Sequence, residues 1–367
     1  MNKKIVAIVA VVAAAAVAAG GAILLSKKDG KKPADATAVE TTIAQTTEVE
    51  ATKKATNKDN EIKEHMLPAE AQKIFNANKS SNASINYDDE YIYYTVVKEV
   101  KNPDSPDEYS IHDIVRESFA TGEKEVVVSN ENVNSIFVDG DYVYFSSHLG
   151  GKVSRVKIGT SKVEELIKDY YRPVFAIAGG KLIVCGYTQD GTSELRILNK
   201  DGSDCKGTGV HCSSFVVYNN KIYTMGTAEQ FDREYRLAQV DIKTLKLTWL
   251  DTDFGQDKDG AYVYYEVVGV DENNIYLNAD GQVGKYSFKE GVISTLCKTK
   301  PTAITEFVYG DSFVLYRVDN KIMLLQNGVS TCIAENVYYN IALINSHLYV
   351  QRTLEGDWED VYTFTFK

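Results

Sequence analysis

With 367 residues carrying 40 Lys and Arg against 51 Asp and Glu, a formal net charge of -11, the chain lacks the basic face on which a nucleic-acid partner depends. Its 24 Tyr and 13 Phe against 6 Pro suit many short strands whose aromatic side chains pack on pleated surfaces, so an all-β body is expected. The five cysteines, Cys185, Cys205, Cys212, Cys297 and Cys332, include no C-x-x-C pair and no His at zinc-ligand spacing, which argues against a metal framework.

Met1 to Lys4 is basic, and Ile5 to Leu25 runs through Ile, Val, Ala, Leu and Gly without a charge. At about 1.5 Å per residue that run crosses the roughly 30 Å hydrocarbon core as one helix. It exceeds the apolar region of about 7 to 15 residues in a cleaved signal peptide, so residues 1–30 read as a signal anchor, a single N-terminal transmembrane helix. Small-x-small sites in its Ala-rich middle keep cleavage and secretion open as the alternative. Lysines on both flanks leave the orientation unset by charge. An amino-terminal anchor ahead of a long polar spacer serves export, which places the body outside the cell membrane.

Residues 31–65 form that spacer, rich in Thr, Ala, Glu and Lys and nearly free of aromatics, as in Ala38-Val-Glu-Thr-Thr-Ile-Ala-Gln. Such a stretch buries too little apolar area to offset an ordering cost of about 1 to 2 kcal/mol per residue, so a disordered linker is expected.

Residues 66–367 carry one recurring pattern: an apolar approach, a short turn rich in Asp, Gly and Asn, and an apolar strand. Asp88-Asp-Glu-Tyr-Ile-Tyr-Tyr, Asp139-Gly-Asp-Tyr-Val-Tyr-Phe, Tyr218-Asn-Asn-Lys-Ile-Tyr-Thr and Asp271-Glu-Asn-Asn-Ile-Tyr-Leu are four of seven instances. The first residues after the turns are Tyr91, Tyr142, Lys181, Lys221, Asn274, Ser312 and His347. Most of their spacings lie near the roughly 40 residues of a four-stranded propeller blade, with insertions after Tyr91 and after Lys221. The next two columns, beginning Ile92 and Tyr93, are apolar or aromatic throughout. Since adjacent strand positions face opposite ways, this strand is expected to be covered on both sides, as in a blade wedged between two others. Pairs such as Val153 with Val156 and Leu237 with Val240 mark third strands, and Val163-Glu-Glu-Leu marks a fourth. The expected fold is an all-β β-propeller of seven four-stranded blades. The last unit is one strand short, and residues near Ala71 to Phe75 are expected to supply it, since a closed ring leaves no open edge.

The turn, the Ile-Tyr-Tyr strand and the following Leu-x-x-Val strand, with the anchor and the Thr/Glu tether, resemble a group of bacterial membrane-anchored proteins with domains of unknown function. Their repeats look like those of low-density-lipoprotein-receptor-type propellers. The receptor pattern Tyr-Trp-Thr-Asp is matched here only by Tyr93-Tyr94-Thr95-Val96 and Tyr144-Phe145-Ser146-Ser147. The resemblance implies a propeller in an envelope protein and transfers no ligand or catalytic residue.

No nucleophile elbow, phosphate loop, dinucleotide fingerprint or H-E-x-x-H motif is present. His65, His112, His148, His211 and His347 are scattered, and His347 reads as an exposed turn residue. Cys205 and Cys212 are near enough to bridge a loop, though five reduced, mostly buried thiols is the favoured reading. The insertion Asp251 to Glu266 alternates carboxylates around Gly255 and Gly260. Asp257, Asp259 and Glu266 are candidate calcium ligands there, against a plain solvated acidic loop, because Gly255 stands where the first ligand is needed. Tyr262, Tyr264 and Tyr265 are candidate ligand-binding aromatics, against core packing. Carboxylate pairs such as Asp357 with Glu359, or Asp88 with Asp89, would suit a glycosidase but are expected by chance among 51 acidic residues.

The favoured reading is a membrane-tethered extracytoplasmic module, without cofactor, that binds an envelope glycan, peptide or protein and is not an enzyme. A glycan-active hydrolase or lyase and a structural scaffold of an envelope complex are the alternatives.

Overall fold

The computed structural model describes residues 66–67 and 84–366, apart from 103–108, 148–149, 169, 189–192, 229–233, 251–264, 280–281, 299–303, 310–312, 327, 338–339, 345–346, 352–357 and 364. The expected membrane segment, the linker and Ala71 to Phe75 therefore lie outside the described residues. Among the described residues there is no helix, and none long and apolar enough to cross a membrane.

Strand β1 (Met66–Leu67) stands apart from a run of antiparallel sheets that follow one another along the chain. The first sheet holds β2 (Ile85–Tyr87), β3 (Tyr91–Lys101), β4 (Tyr109–Ser118) and β5 (Lys124–Glu131). The second holds β6 (Ser135–Asp139), β7 (Tyr142–Ser147), β8 (Lys152–Lys157) and β9 (Val163–Ile167). The third has β10 (Tyr170–Ala178), β11 (Lys181–Thr188), β12 (Glu194–Asn199) and β13 (Lys206–His211). The fourth has β14 (Val216–Tyr218), β15 (Lys221–Gly226), β16 (Arg236–Asp241) and β17 (Leu247–Leu250). The fifth consists of β18 (Glu266–Val270), β19 (Asn274–Ala279), β20 (Gln282–Ser287) and β21 (Ile293–Lys298), and the sixth of β22 (Ile304–Tyr309), β23 (Phe313–Val318), β24 (Lys321–Gln326) and β25 (Val329–Glu335). The last sheet contains only β26 (Ile341–Ile344), β27 (His347–Gln351) and β28 (Trp358–Thr363), after which β29 (Thr365–Phe366) ends the described chain.

The fold is a β-propeller with six four-stranded blades, each a plain meander. The expectation of seven four-stranded blades is corrected: the seventh repeat forms a three-stranded sheet, because no fourth strand pairs with β28 among the described residues. The edge strand expected near Ala71 to Phe75 lies outside the described residues. Met66 and Leu67 pair in parallel with Thr365 and Phe366, so β1 meets the chain directly after β28.

The second strands behave as their sequence requires. Val143, Leu182, Ile222, Ile275 and Leu348 are fully buried, and so on the opposite face are Tyr93, Ile183 and Tyr276. Apolar clusters fill the boundaries between successive sheets. Phe137, Tyr144 and Val153 meet Phe175, Leu182 and Val184 across the second boundary. Phe313, Ile322 and Leu324 meet Leu348 and Val350 across the sixth. Ile344 of the three-stranded sheet packs with Ile85, Ile92 and Tyr94 of the first blade, aided by Tyr349 and Trp358. At roughly 25 cal/mol per Å² of apolar area, burying both faces of every second strand is the dominant stabilising contribution.

His347 is corrected as well. It is the first residue of β27, partly buried, with its ring 6.3 Å from that of Tyr349.

Candidate functional site: a tyrosine-bearing face

Because each blade is a meander, its connections divide between two faces. One face carries the first-to-second turns, such as 140–141, 179–180 and 219–220. These are tight: Gly179 and Gly180, like Asn219 and Asn220, all have positive φ, the backbone of a two-residue hairpin matched to strand twist. At the other face lie the strand ends that border the second-to-third and blade-to-blade connections, among them Lys101 and Tyr109, Gly226 and Arg236, and Leu250 and Glu266. Both long repeats add their residues here. The first does so by lengthening a hairpin, since β3 and β4 run for 11 and 10 residues. The second has its extra residues between Leu250 and Glu266, the ends of β17 and β18 at this face. Long loops on a rigid scaffold are where binding residues concentrate.

Three exposed tyrosines lie at this face. Tyr171 is 54 % exposed, Tyr235 44 % and Tyr187 38 %, and no other described Tyr is among the large exposed apolar side chains. Tyr171 at the start of β10 is the cross-strand partner of Tyr187 at the end of β11, which sets both on the same side of the third blade. Tyr235 directly precedes β16 of the fourth blade. Its hydroxyl is pushed up by partial burial, reinforced by the nearby Tyr187 and Cys212. Charged groups flank the rings: Arg236 pairs with Glu234 at 3.4 Å and Arg196 with Glu194 at 3.4 Å, while the Arg196 guanidinium lies 5.7 Å from the Tyr170 ring centre. Tyrosine rings with a wet hydroxyl end suit stacking on sugar or peptide planes. Sequence reading missed this trio because the three are far apart in the chain. The available signal was an aromatic residue at a strand end bordering a second-to-third or blade-to-blade connection.

Of the residues singled out from sequence, Asp257, Asp259, Tyr262 and Tyr264 lie outside the described residues. Tyr265 packs partly buried against the cluster of Tyr223, Leu237 and Val267 between the fourth and fifth blades. Glu266 opens β18 on the same face, with Ser214 hydrogen-bonding its carboxylate, and burial raises its pKa above the usual range. No group of three His, Cys, Asp or Glu among the described residues is placed to hold a metal ion. His112 is lowered by burial, and its Nδ1 accepts from the Val133 amide at 3.4 Å. The Cys205–Cys212 bridge is not formed: Cys205 is an exposed free thiol and Cys212 a buried one.

A groove of about 770 Å³ opens between the first blade and the three-stranded sheet, lined by Tyr94, Glu117, Phe119, Lys124, Val126 and Trp358. Phe119 and Val126 in its lining are exposed. Its polar groups satisfy one another: the Tyr94 hydroxyl donates to Glu117 at 2.9 Å, and Lys124 pairs with Glu117 at 3.3 Å.

Meander blades packed face to face define the chain as a β-propeller protein. No family model matches it, and no curated protein does. Among solved structures, it is similar to a puromycin-hydrolyzing peptidase of Mycobacterium tuberculosis at 9% identity and a TM-score of 0.51, over 82% of this chain and 55% of that one. It also matches an extracellular domain from B. thetaiotaomicron at 13% identity and TM-score 0.48, over 81% of this chain and 40% of that one. BamB from Moraxella catarrhalis aligns at 11% identity and TM-score 0.47, over 76% and 96%. The chain thus spans about half the length of the peptidase, and that likeness is one of fold alone.

Proposed function

We propose that this chain is a membrane-tethered, extracytoplasmic recognition module whose long-connection face binds an envelope glycan, peptide or protein without transforming it. Residues 1–30 are its anchor and 31–65 its spacer. The observation that carries this reading is the gathering of Tyr171, Tyr187 and Tyr235 on the face where both repeat insertions end. A rigid propeller holds such rings in place, so little ordering entropy is lost on binding. Ile344 of the three-stranded sheet packs on Ile85 and Ile92 of the first blade, which keeps the scaffold rigid behind that face. On this reading the repeats are of the low-density-lipoprotein-receptor type, with the strand-end Asp of that pattern absent.

The test is to incubate the purified body, residues 64–367, with an array of cell-wall glycans and peptidoglycan fragments, recording both retention and product release. Retention without cleavage, lost when the three tyrosines become alanine, supports the reading. Product release would replace it with a glycan-active enzyme, and silence on both counts would move the search to a protein partner.

A further inference from the structure

Two buried thiols share the packed cluster between the third and fourth blades. Cys185 lies on β11 and is fully buried; Cys212, directly after β13, is 2 % exposed. Cys212 begins the crossover 212–215, which carries the chain from the outer strand of the third blade back to β14 at the inner edge of the fourth. Both cysteines are free, buried thiols that share one cluster with Leu195, Ile197, Ile222 and Ala238, and burial, reinforced by Cys212, holds the Cys185 thiol up. The crossover is otherwise pinned by backbone and side-chain bonds: the Cys212 amide donates to the Ser193 carbonyl at 2.9 Å, and the Thr224 hydroxyl to the Ser214 carbonyl at 2.5 Å. Tyr235 stands within electrostatic reach of Cys212.

We propose that Cys185 and Cys212 form a disulfide in the exported protein, fixing the 212–215 crossover beneath the tyrosine face. This rests on the extracytoplasmic placement proposed above, because disulfides persist in oxidising compartments. The oxidant is a low-molecular-weight disulfide such as oxidised glutathione. One cysteine thiolate attacks it, giving a mixed disulfide and releasing one glutathione. The second cysteine then attacks the protein sulfur and releases the other glutathione. Two electrons and two protons pass from the cysteines to the two glutathiones. Burial pushes the Cys185 thiol up, which suppresses the reactive thiolate once the blade boundary has closed, so the bond forms while the blades are still assembling.

The experiment refolds the reduced full chain in a glutathione redox buffer, blocks free thiols with N-ethylmaleimide after denaturation, and maps tryptic peptides. Lys206 lies between Cys205 and Cys212, so trypsin separates the two candidate pairings. The expected result is a linked pair of peptides, 182–196 with 207–221, with the other three of the five cysteines alkylated and a thermal midpoint about 5 °C above that of the reduced chain. Cys205→Ser should leave the link intact, and Cys185→Val should leave Cys212 alkylated. Alkylation of all five cysteines, or a 201–206 to 207–221 link, overturns the proposal. Placement is read separately by labelling the exposed Cys205 on intact cells with a membrane-impermeant maleimide. Absence of label there defeats the exported location while the peptide map still judges the pair.

Discussion

The hydroxyl of Tyr276 donates to Oδ2 of Asp271 at 2.5 Å, while Oδ1 of the same carboxylate accepts from the amides of Asn273 at 2.7 Å and Asn274 at 2.8 Å. The first blade repeats the device: Tyr93 donates to Asp88 Oδ2 at 2.7 Å, and the Glu90 and Tyr91 amides donate to Asp88 Oδ1. One carboxylate thus shapes the turn and ties it to the buried strand five residues on. Asp271 is 8 % exposed, so little water is available to replace a lost partner there. Tyr276→Phe is expected to cost about 1–2 kcal/mol, and Asp271→Ala about 2–4 kcal/mol because it strands three donors. Asp88→Ala, in a more exposed turn, should cost about 1 kcal/mol. Urea midpoints at constant m-value check the order.

The exposed tyrosines predict the opposite pattern. Replacing Tyr171, Tyr187 and Tyr235 by Ala removes side chains that contribute mostly to surface, so stability should change by only about 0.5 kcal/mol per site. Binding to whichever wall fragment is retained should fall by at least 10-fold, about 1.4 kcal/mol. Unchanged affinity in a folded triple variant would remove this face from consideration.

Glu266 carries a pH signature. Its folded pKa is raised above the usual 4.5 by burial, with the Ser214 hydrogen bond opposing the rise. A raised carboxyl pKa means that stability is fully present below the unfolded value and is lost as pH rises through the folded one. Glu266→Gln keeps an acceptor for Ser214 and removes the charge. The variant should exceed the parent in stability at pH 7, with the difference vanishing below about pH 4. Denaturation midpoints across that range check the sign.

Gly151 has φ +53 and an added Cβ would lie 1.2 Å from the Tyr170 carbonyl oxygen, whereas Gly122, at φ +70, has open space around it. Gly122→Ala should cost about 1–2 kcal/mol, the left-handed backbone penalty alone. Gly151→Ala must in addition displace β10 backbone and should cost about 4 kcal/mol or more. Equal losses in the two variants would mean that the contact with β10 relaxes without penalty.

The repeat was legible because the second strand of every blade is buried on both faces, which writes two apolar columns into the sequence. Six of the seven strand starts inferred from them, Tyr91, Tyr142, Lys181, Lys221, Asn274 and His347, are the first residues of their strands. Ser312 lies one residue before Phe313, where β23 begins. The edge was not legible, because β1 is two residues held by parallel backbone pairing, and backbone bonds leave no side-chain pattern. Nor was the Asp271 turn lock, since an Asp in a turn reads the same whether or not a Tyr five residues later reaches it. The tyrosine face and the clustering of Cys185 with Cys212 join residues of different strands and connections, and no local period encodes which of them come together.

The pairing of β1 with β29 makes a prediction about where the propeller begins. The compact body begins at Glu64, and Met66 and Leu67 pair with Thr365 and Phe366. Removing residues 1–63 should leave the thermal midpoint of the body unchanged, since nothing in the described sheets is lost. Extending the deletion through Leu67 strips β29 of its partner and exposes its backbone, at a cost of about 1–2 kcal/mol. For a body of this size that is a fall of about 2–4 °C, with proteolysis from the carboxyl terminus accelerating in parallel. If both truncations melt together, the ring is held at its last repeat by side-chain packing of the β26–β28 sheet on the first blade, and β1 contributes nothing measurable to its closure.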